Sequence, residues 1–556
     1  MRAYFAIALW GDFGVYSCPM RTLAALAVPG TWAHPGGVLV GRTVANAALL
    51  EALARHGSFE RLVMVAGEDA DLPPLQALFT AWKLPEGRVG AAHVFQLPSL
   101  LRDGGIDVLH HPSHLERLFD LVAVRNRYAT KATPVTGQTH SLSYPRLHQD
   151  LARWALLPPS ATDAIFCSST VGKRALEVCF DDVEAGLVAR GLSIPIPRWA
   201  LPHVPLGVDV DALAPIPRAD ARAALGVPAG RVVLLTLARF TEYDKLDAFP
   251  LLQAFATLVH EKKLDVHLVL AGARQGTKTP EMLGLWAKVL KIDDRLTLKV
   301  DFANAEKRVL LSAADVFVSP VDNLQETFGQ SVIEALAAGV PVVASDFDGY
   351  KDTVDDEVGR RVTTRLGVDW DPLSELGPLL YERPLHLVLG QSIEVDLKHL
   401  VSTLEELVRD AALRDRLGRA ARARAKQRYD WKVIVRQLET TWKELASRPF
   451  TPTAAPHPLR LDFRRAFGHF PTASRMDEMR ALTRTAFSRT PGQPWVVYPE
   501  LGTLLSHDDV RRALAFCDVP RTWKDLVAHL EPTLGPREPW VAGFIATWLV
   551  KHGLLE

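Results

Sequence analysis

Ser319-Pro320-Val321-Asp322-Asn323-Leu324-Gln325-Glu326-Thr327-Phe328-Gly329-Gln330-Ser331-Val332-Ile333-Glu334-Ala335-Leu336-Ala337-Ala338-Gly339-Val340-Pro341-Val342-Val343-Ala344 reads as strand, loop, helix, turn and strand. The apolar run ending at Ser319 is too short for a helix, and Gly339 and Pro341 mark a tight return into Val342–Ala344. Glu326 falls in the loop before the helix, and Gly329 lets that loop turn sharply. The amides of Phe328, Gly329 and Gln330 are then expected to be free and to point into the cleft at a helix N-terminus, an arrangement that favours an anion such as a phosphate. Glu334 lies about two helical turns further on. Its carboxylate can accept two hydrogen bonds from a vicinal diol such as a ribose offers.

Outward from this segment the same grammar repeats. Arg61–Ala66, Val108-Leu109, Ala164–Cys167, Val232–Leu237, Val266–Ala271 and Val316–Ser319 read as strands, each followed by a turn residue and a stretch of helical period. Runs of Val, Ile and Leu without polar alternation belong to parallel strands covered on both faces. Repeated strand–helix units predict two doubly wound, Rossmann-like sheets facing each other across a cleft. The first unit is expected over residues 1–204 and the second over 205–448, joined near Leu206-Gly207-Val208-Asp209. Pro449, Pro452, Pro456 and Pro458 mark a linker over 449–459. Residues 460–556 lose the alternation and read as a small, mainly helical accessory domain with a winged-helix-like end.

Three further stretches carry chemistry. Ala238-Arg239-Phe240-Thr241-Glu242-Tyr243-Asp244-Lys245 directly follows the strand Val232–Leu237, where Arg239 and Lys245 can clamp a diphosphate and steady a leaving group. The same two cations can instead pair with Glu242 and Asp244 on the surface. Pro134 to His140 reads as a short strand ending in His140. Gly11-Asp12-Phe13-Gly14 follows Ala3–Trp10, which reads as a buried first strand rather than a leader peptide, so Gly14 is expected in a loop that approaches ligand closely.

These segments resemble the signature of the large retaining glycosyltransferase family called group 1. The family carries a Glu, seven residues and a second Glu, matched here by Glu326 and Glu334. The resemblance implies a GT-B type fold, two facing Rossmann-like domains with the nucleotide-sugar donor bound mainly by the second and the acceptor on the side of the first. It implies that Glu326 contacts the donor sugar, that Glu334 holds the ribose, and that Thr327, Phe328, Gly329 and Gln330 line the sugar and phosphate. Arg239 and Lys245 match the family's diphosphate cations, usually one residue closer together. His140 matches a His near the reacting centre, and Gly14 and Gly272 match glycine-bearing loops. The reaction implied is hexosyl transfer with retention to an unknown sugar, lipid-linked or protein acceptor. It needs no cofactor and no metal, because fixed cations stabilise the diphosphate and the diphosphate itself helps deprotonate the acceptor. The resemblance covers roughly residues 1–446. A nucleotide-sugar epimerase, a pyridoxal-dependent phosphorylase and a non-catalytic nucleotide-sugar-binding module share the architecture.

Bulk composition bounds the rest. Lys+Arg and Asp+Glu number 64 each, so attraction to nucleic acid or membrane has to be local. Four cysteines without CxxC spacing fit a reduced compartment. The late apolar run Trp540–Val550 falls well below the ~20 residues that span a bilayer. A cytoplasmic protein is expected, with the basic stretch Arg414–Arg428 available as a solvated face or for peripheral contact with anionic lipid. Asp209-Val210-Asp211 looks like a metal-binding DxD but reads better as a turn or helix cap. His110, His111 and His114 are expected in a polar loop lining the cleft.

Overall fold

The computed structural model describes residues 20–27, 41–112, 116–453, 455–473, 475–490, 495–535 and 537–556. Two six-stranded parallel sheets dominate it. The first contains β1 (Thr22–Ala27), β2 (Arg61–Ala66), β3 (Val89–His93), β4 (Val108–His111), β5 (Val135–Gln138) and β6 (Ala164–Phe166), in the order β3-β2-β1-β4-β5-β6. The second contains β7 (Val232–Leu237), β8 (Val266–Gly272), β9 (Leu296–Val300), β10 (Val316–Ser319), β11 (Val342–Ser345) and β12 (Gly359–Val362), in the order β12-β11-β10-β7-β8-β9. Read from its own first strand, the second sheet repeats the order of the first. In both, the order reverses beside the first strand, the place outside the carboxyl ends of the strands where this fold class binds ligands.

Alternation along each strand divides the interior. In β10, Val316 and Val318 enter one apolar cluster and Phe317 enters the cluster on the opposite face. The first sheet is likewise covered on both faces. One wall of its core comes from far along the chain: Trp431, Ile434, Val435, Leu438, Trp442 and Leu445 of the helix Trp431–Ala446 are buried against β1, β2 and β4. Trp442 also donates its indole N–H to Thr136 Oγ1 at 3.0 Å. The two crossings between the halves pair with each other. Val208 N donates to Tyr429 O at 2.8 Å and Trp431 N to Val208 O at 3.2 Å. A Cβ on Gly207 would fall 2.3 Å from the Trp431 ring, so only glycine fits there.

One expectation changes and another is untested. Among the described residues the first strand of the first sheet is Thr22–Ala27, flanked by β2 and β4. Ala3–Trp10 and the loop with Gly14 lie outside the described residues. His110 and His111 are not in a polar loop; both belong to β4 and are fully buried. Burial pushes the His110 imidazole down to about 3. His114 lies outside the described residues. Asp209 accepts from Ala212 N at 2.8 Å and so closes a turn.

A hairpin of β13 (Thr364–Leu366) and β14 (Ile393–Val395) brackets two helical segments, Asp371–Leu376 and Glu382–Gln391. Beyond residue 448, β15 (Ala481–Leu482) and β16 (Arg521–Thr522) pair antiparallel beside the helices His507–Phe516, Trp523–Leu530 and Trp540–Lys551, around a separate core. The proline-rich segment before it is tied down. Thr453 N donates to Asn126 O at 2.8 Å, and His457 Nε2 lies 2.9 Å from Asp120 Oδ1. No described helix is long and apolar enough to cross a membrane.

Candidate functional site

The loop from β10 into the helix Gln330–Ala337 folds around Glu326. One carboxylate oxygen pairs with the Lys245 ammonium, and the other accepts from Gly329 N at 2.9 Å, with Phe328 N at 3.5 Å. The Glu326 side chain is 10% exposed. Burial works to push this carboxyl up, but Lys245 and the two amides outweigh it and hold the group below the usual carboxylate range. This corrects the expectation of free amides: those of Phe328 and Gly329 are taken by Glu326. Gln330 turns its side-chain amide to Gly207 O, at 3.1 Å, and the Phe328 ring is core, edge-on to Tyr429.

Gly329 sits at φ +99°, and a Cβ there would meet the Tyr350 ring at 2.4 Å. Gly349 underlies Thr327 and Phe328 as closely, since a Cβ on it would lie 2.5 Å from Thr327 O. The Asp348-Gly349-Tyr350 turn therefore forms the floor of the Glu326 loop. Burial, with Glu326 nearby, pushes the Asp348 carboxyl up to about 8 and the Tyr350 phenol well above its ordinary value.

Glu334, 8% exposed, pairs with Lys307 at 2.8 Å. Arg239 turns to Asp244 Oδ2 at 2.8 Å and Gln275 Oε1 at 3.4 Å. The surface pairing that the sequence left open thus holds for Arg239, while Lys245 reaches the other loop. Gly272 ends β8, and a Cβ there would lie 1.6 Å from Ala238 O, so the backbones beside Arg239 touch directly.

From the first sheet, β5 leads to His140, whose Nε2 lies 2.9 Å from Pro112 O. The next residue crosses the cleft: Ser141 Oγ donates to Gln325 O at 2.8 Å. His140 and Glu326 each stand one residue from this contact. A second tie comes from His386 in the helix Glu382–Gln391, 2% exposed. Its Nδ1 lies 2.8 Å from Glu382 O, and its Nε2 lies 2.6 Å from Gln325 Nε2 and 3.0 Å from Ser143 Oγ. With Nδ1 donating to the carbonyl, Nε2 is the acceptor for both partners.

Sequence reasoning missed Lys307, Asp348, Gly349, Tyr350 and His386. The Asp348-Gly349 dipeptide after a strand is a turn signal that could have flagged the floor. The sequence between β1 and the helix Gly41–His56 carries Gly30, Gly36 and Gly37, a glycine signal stronger than that around Gly14; it too lies outside the described residues. Along Arg414–Arg428, Arg414 bonds the carbonyls of Leu407 and Val408, Arg422 bonds that of Ala337, and Arg424 pairs with Asp355 and Glu357. Arg416, Arg419, Lys426 and Arg428 are exposed.

Residues 217–375 match the family of glycosyl transferases group 1. A D-inositol 3-phosphate glycosyltransferase of Saccharomonospora viridis is 32% identical over 327 residues, 57% of this chain and 69% of the relative. A phosphatidyl-myo-inositol mannosyltransferase of Mycobacterium tuberculosis is 30% identical over 250 residues, 44% of this chain and 54% of the relative. Among solved structures, a glycosyltransferase from Rickettsia africae superposes with TM-score 0.55 at 13% identity, over 77% of this chain and 100% of that one. Anabaena HepE in complex with UDP superposes with TM-score 0.54 at 16% identity, over 76% and 100%. The chain belongs to the group 1 glycosyl transferases, with the GT-B arrangement of two Rossmann-like sheets.

Proposed function

We propose that this protein transfers a glycosyl group from a nucleotide-sugar donor to an acceptor hydroxyl with retention of anomeric configuration. The observation that carries the proposal is the three-way junction of Lys245, Glu326 and the Gly329 amide. It gathers a cation, a carboxylate and a helix tip at the carboxyl end of the second sheet, where this fold class binds ligands.

The reaction divides among named groups. The bond from the anomeric carbon to the β-phosphate oxygen breaks. The acceptor oxygen bonds to that carbon on the same face, and its proton passes to the departing phosphate oxygen. Lys245 and Arg239 carry the charge that develops on the nucleoside diphosphate, exchanging Glu326 and Asp244 for it as partners. Glu326 is then released towards the sugar hydroxyls, and Glu334 exchanges Lys307 for the ribose diol. Two fixed cations supply the charge stabilisation, so the step runs without a metal ion. His140 orients the sugar from the opposite loop. The names of the relatives make inositol phosphate and phosphatidylinositol the first acceptors to assay.

Thermal-shift measurements with nucleoside diphosphates and their sugars test the donor site. One nucleotide class should stabilise the protein, and Glu334→Ala should weaken that stabilisation by about 1–3 kcal/mol. If no nucleotide stabilises it, or Glu334→Ala binds as tightly as wild type, the donor assignment is lost. Donor hydrolysis without acceptor separates an enzyme from a binding module, and the anomeric configuration of the product by NMR tests retention.

A further inference from the structure

The segment after the tied-down proline stretch is unlike the rest of the surface. Leu459, Leu461, Phe463, Phe467 and Phe470 are 48, 55, 71, 41 and 74% exposed. The three phenylalanines touch one another, with Phe463–Phe467 centroids 6.2 Å apart and Phe467–Phe470 centroids 5.3 Å apart. Rings that pack together and yet stay this exposed form a ridge that projects; they do not line a cleft. Over the ridge itself, residues 459–470, the chain carries Arg460, Arg464 and Arg465 against a single carboxylate, Asp462; Arg475 follows beside Asp477 and Glu478. Arg464, Arg465 and Arg475 are exposed. Asp462 caps the short helix Phe463–Phe467, accepting from Arg465 N at 3.0 Å. The ridge therefore has a defined turn holding its rings on one side.

Five large apolar side chains left in water within twelve residues favour an occupant that covers them. An occupant has to offer an apolar layer deep enough for rings and a negative surface for the arginines. We infer that this ridge docks on an anionic lipid bilayer, the phenylalanines entering the headgroup–acyl boundary and the arginines meeting the phosphates. Charge complementarity and the convex shape favour a bilayer over an acidic peptide, which needs a groove. Arg414–Arg428 keeps four exposed cations, Arg416, Arg419, Lys426 and Arg428, but no exposed large apolar side chain stands among them, so of the two surfaces only the ridge joins charge to rings. The ridge leads away from His457, which is tied to Asp120, so docking would hold the first-sheet half against the bilayer.

Co-sedimentation of the full chain with vesicles tests this. Wild type should bind phosphatidylcholine vesicles containing phosphatidylglycerol, and bind phosphatidylcholine alone more weakly. The triple change Phe463→Ser, Phe467→Ser, Phe470→Ser should cut binding at least tenfold. The double change Arg464→Glu, Arg465→Glu should do the same through charge, by about tenfold or more. Both variants should keep the wild-type melting temperature and donor-dependent thermal shift, since these side chains are exposed. Wild type that ignores anionic vesicles, or variants that bind them as wild type does, would overturn the inference. So would binding to oligoglutamate without binding to vesicles, or a dimer that the triple change dissolves while no vesicle binding is found.

Discussion

The two sheets share one strand order, but the described loops that meet across the cleft carry different chemistry. The second offers charge: Lys245 with Glu326, Lys307 with Glu334, and Arg239 with Asp244. The described loop after β5 of the first offers His140 and the hydroxyls of Ser141 and Ser143. Identical topology therefore leaves function to the loops. Paired charges held in a half-buried crevice can be handed to a charged ligand at little reorganisation cost, which suits a diphosphate. Hydroxyls and an imidazole offer hydrogen bonds without a fixed charge pair, which suits sugar and acceptor hydroxyls.

Breaking the charged edge should cost most. Glu326→Gln removes the counter-charge of Lys245 and leaves one acceptor oxygen where there were two, and turnover should fall by about a hundredfold or more in a transfer or donor-hydrolysis assay. Arg239→Ala is expected to lower turnover by more than roughly tenfold; unchanged turnover would remove Arg239 from the diphosphate role. The contact that crosses the cleft should respond differently. His386→Ala loosens the tie between Ser143 and Gln325, so kcat should drop several-fold, about 1 kcal/mol for the lost hydrogen bonds, while donor affinity is retained. His386→Gln, which can still accept, should recover part of the loss; failure of both variants alike would make the residue merely structural.

The smallest effect concerns stability. The Asp348 carboxyl is raised to about 8 by burial, with Glu326 adding to it, and that of Asp322 to about 7 by burial, against the hydrogen bond it accepts from Asp247 N. In the unfolded chain both ionise near pH 4, so the native state holds more protons between pH 4 and 8, and stability should fall as pH rises through that window. Asp348→Asn should accordingly raise the melting temperature by about 2–4 °C or more at pH 8.5, with a smaller gain at pH 5.

How much of this was legible in the sequence follows from where each strand lies. The central strands β7, β8, β10 and β11 are buried on both sides and announce themselves as Val- and Leu-rich runs. The edge strands β3, β9 and β12 escaped, because Leu296-Thr297-Leu298-Lys299-Val300 and Gly359-Arg360-Arg361-Val362 need not be apolar throughout where one side meets solvent. Thr22–Ala27 escaped for another reason: alanine and leucine favour helices, and only the surrounding sheet makes them a strand. In the site, Glu326, Glu334 and Lys245 were legible because a strand end, a glycine and a helix start fix their setting. His386 was not, since it stands 61 positions after Gln325, inside a hairpin-borne excursion whose fold no local pattern announces.

The helix Trp431–Ala446 has a consequence for how this protein can be cut and made. Chain order places it after the second sheet, yet it supplies a wall of the first sheet's core. A recombinant fragment ending at residue 204 would expose the surface that Ile434, Leu438 and Trp442 cover, and should aggregate on expression. Supplying residues 431–446 in trans, or grafting them onto that fragment by a linker, is the route to a soluble half-molecule.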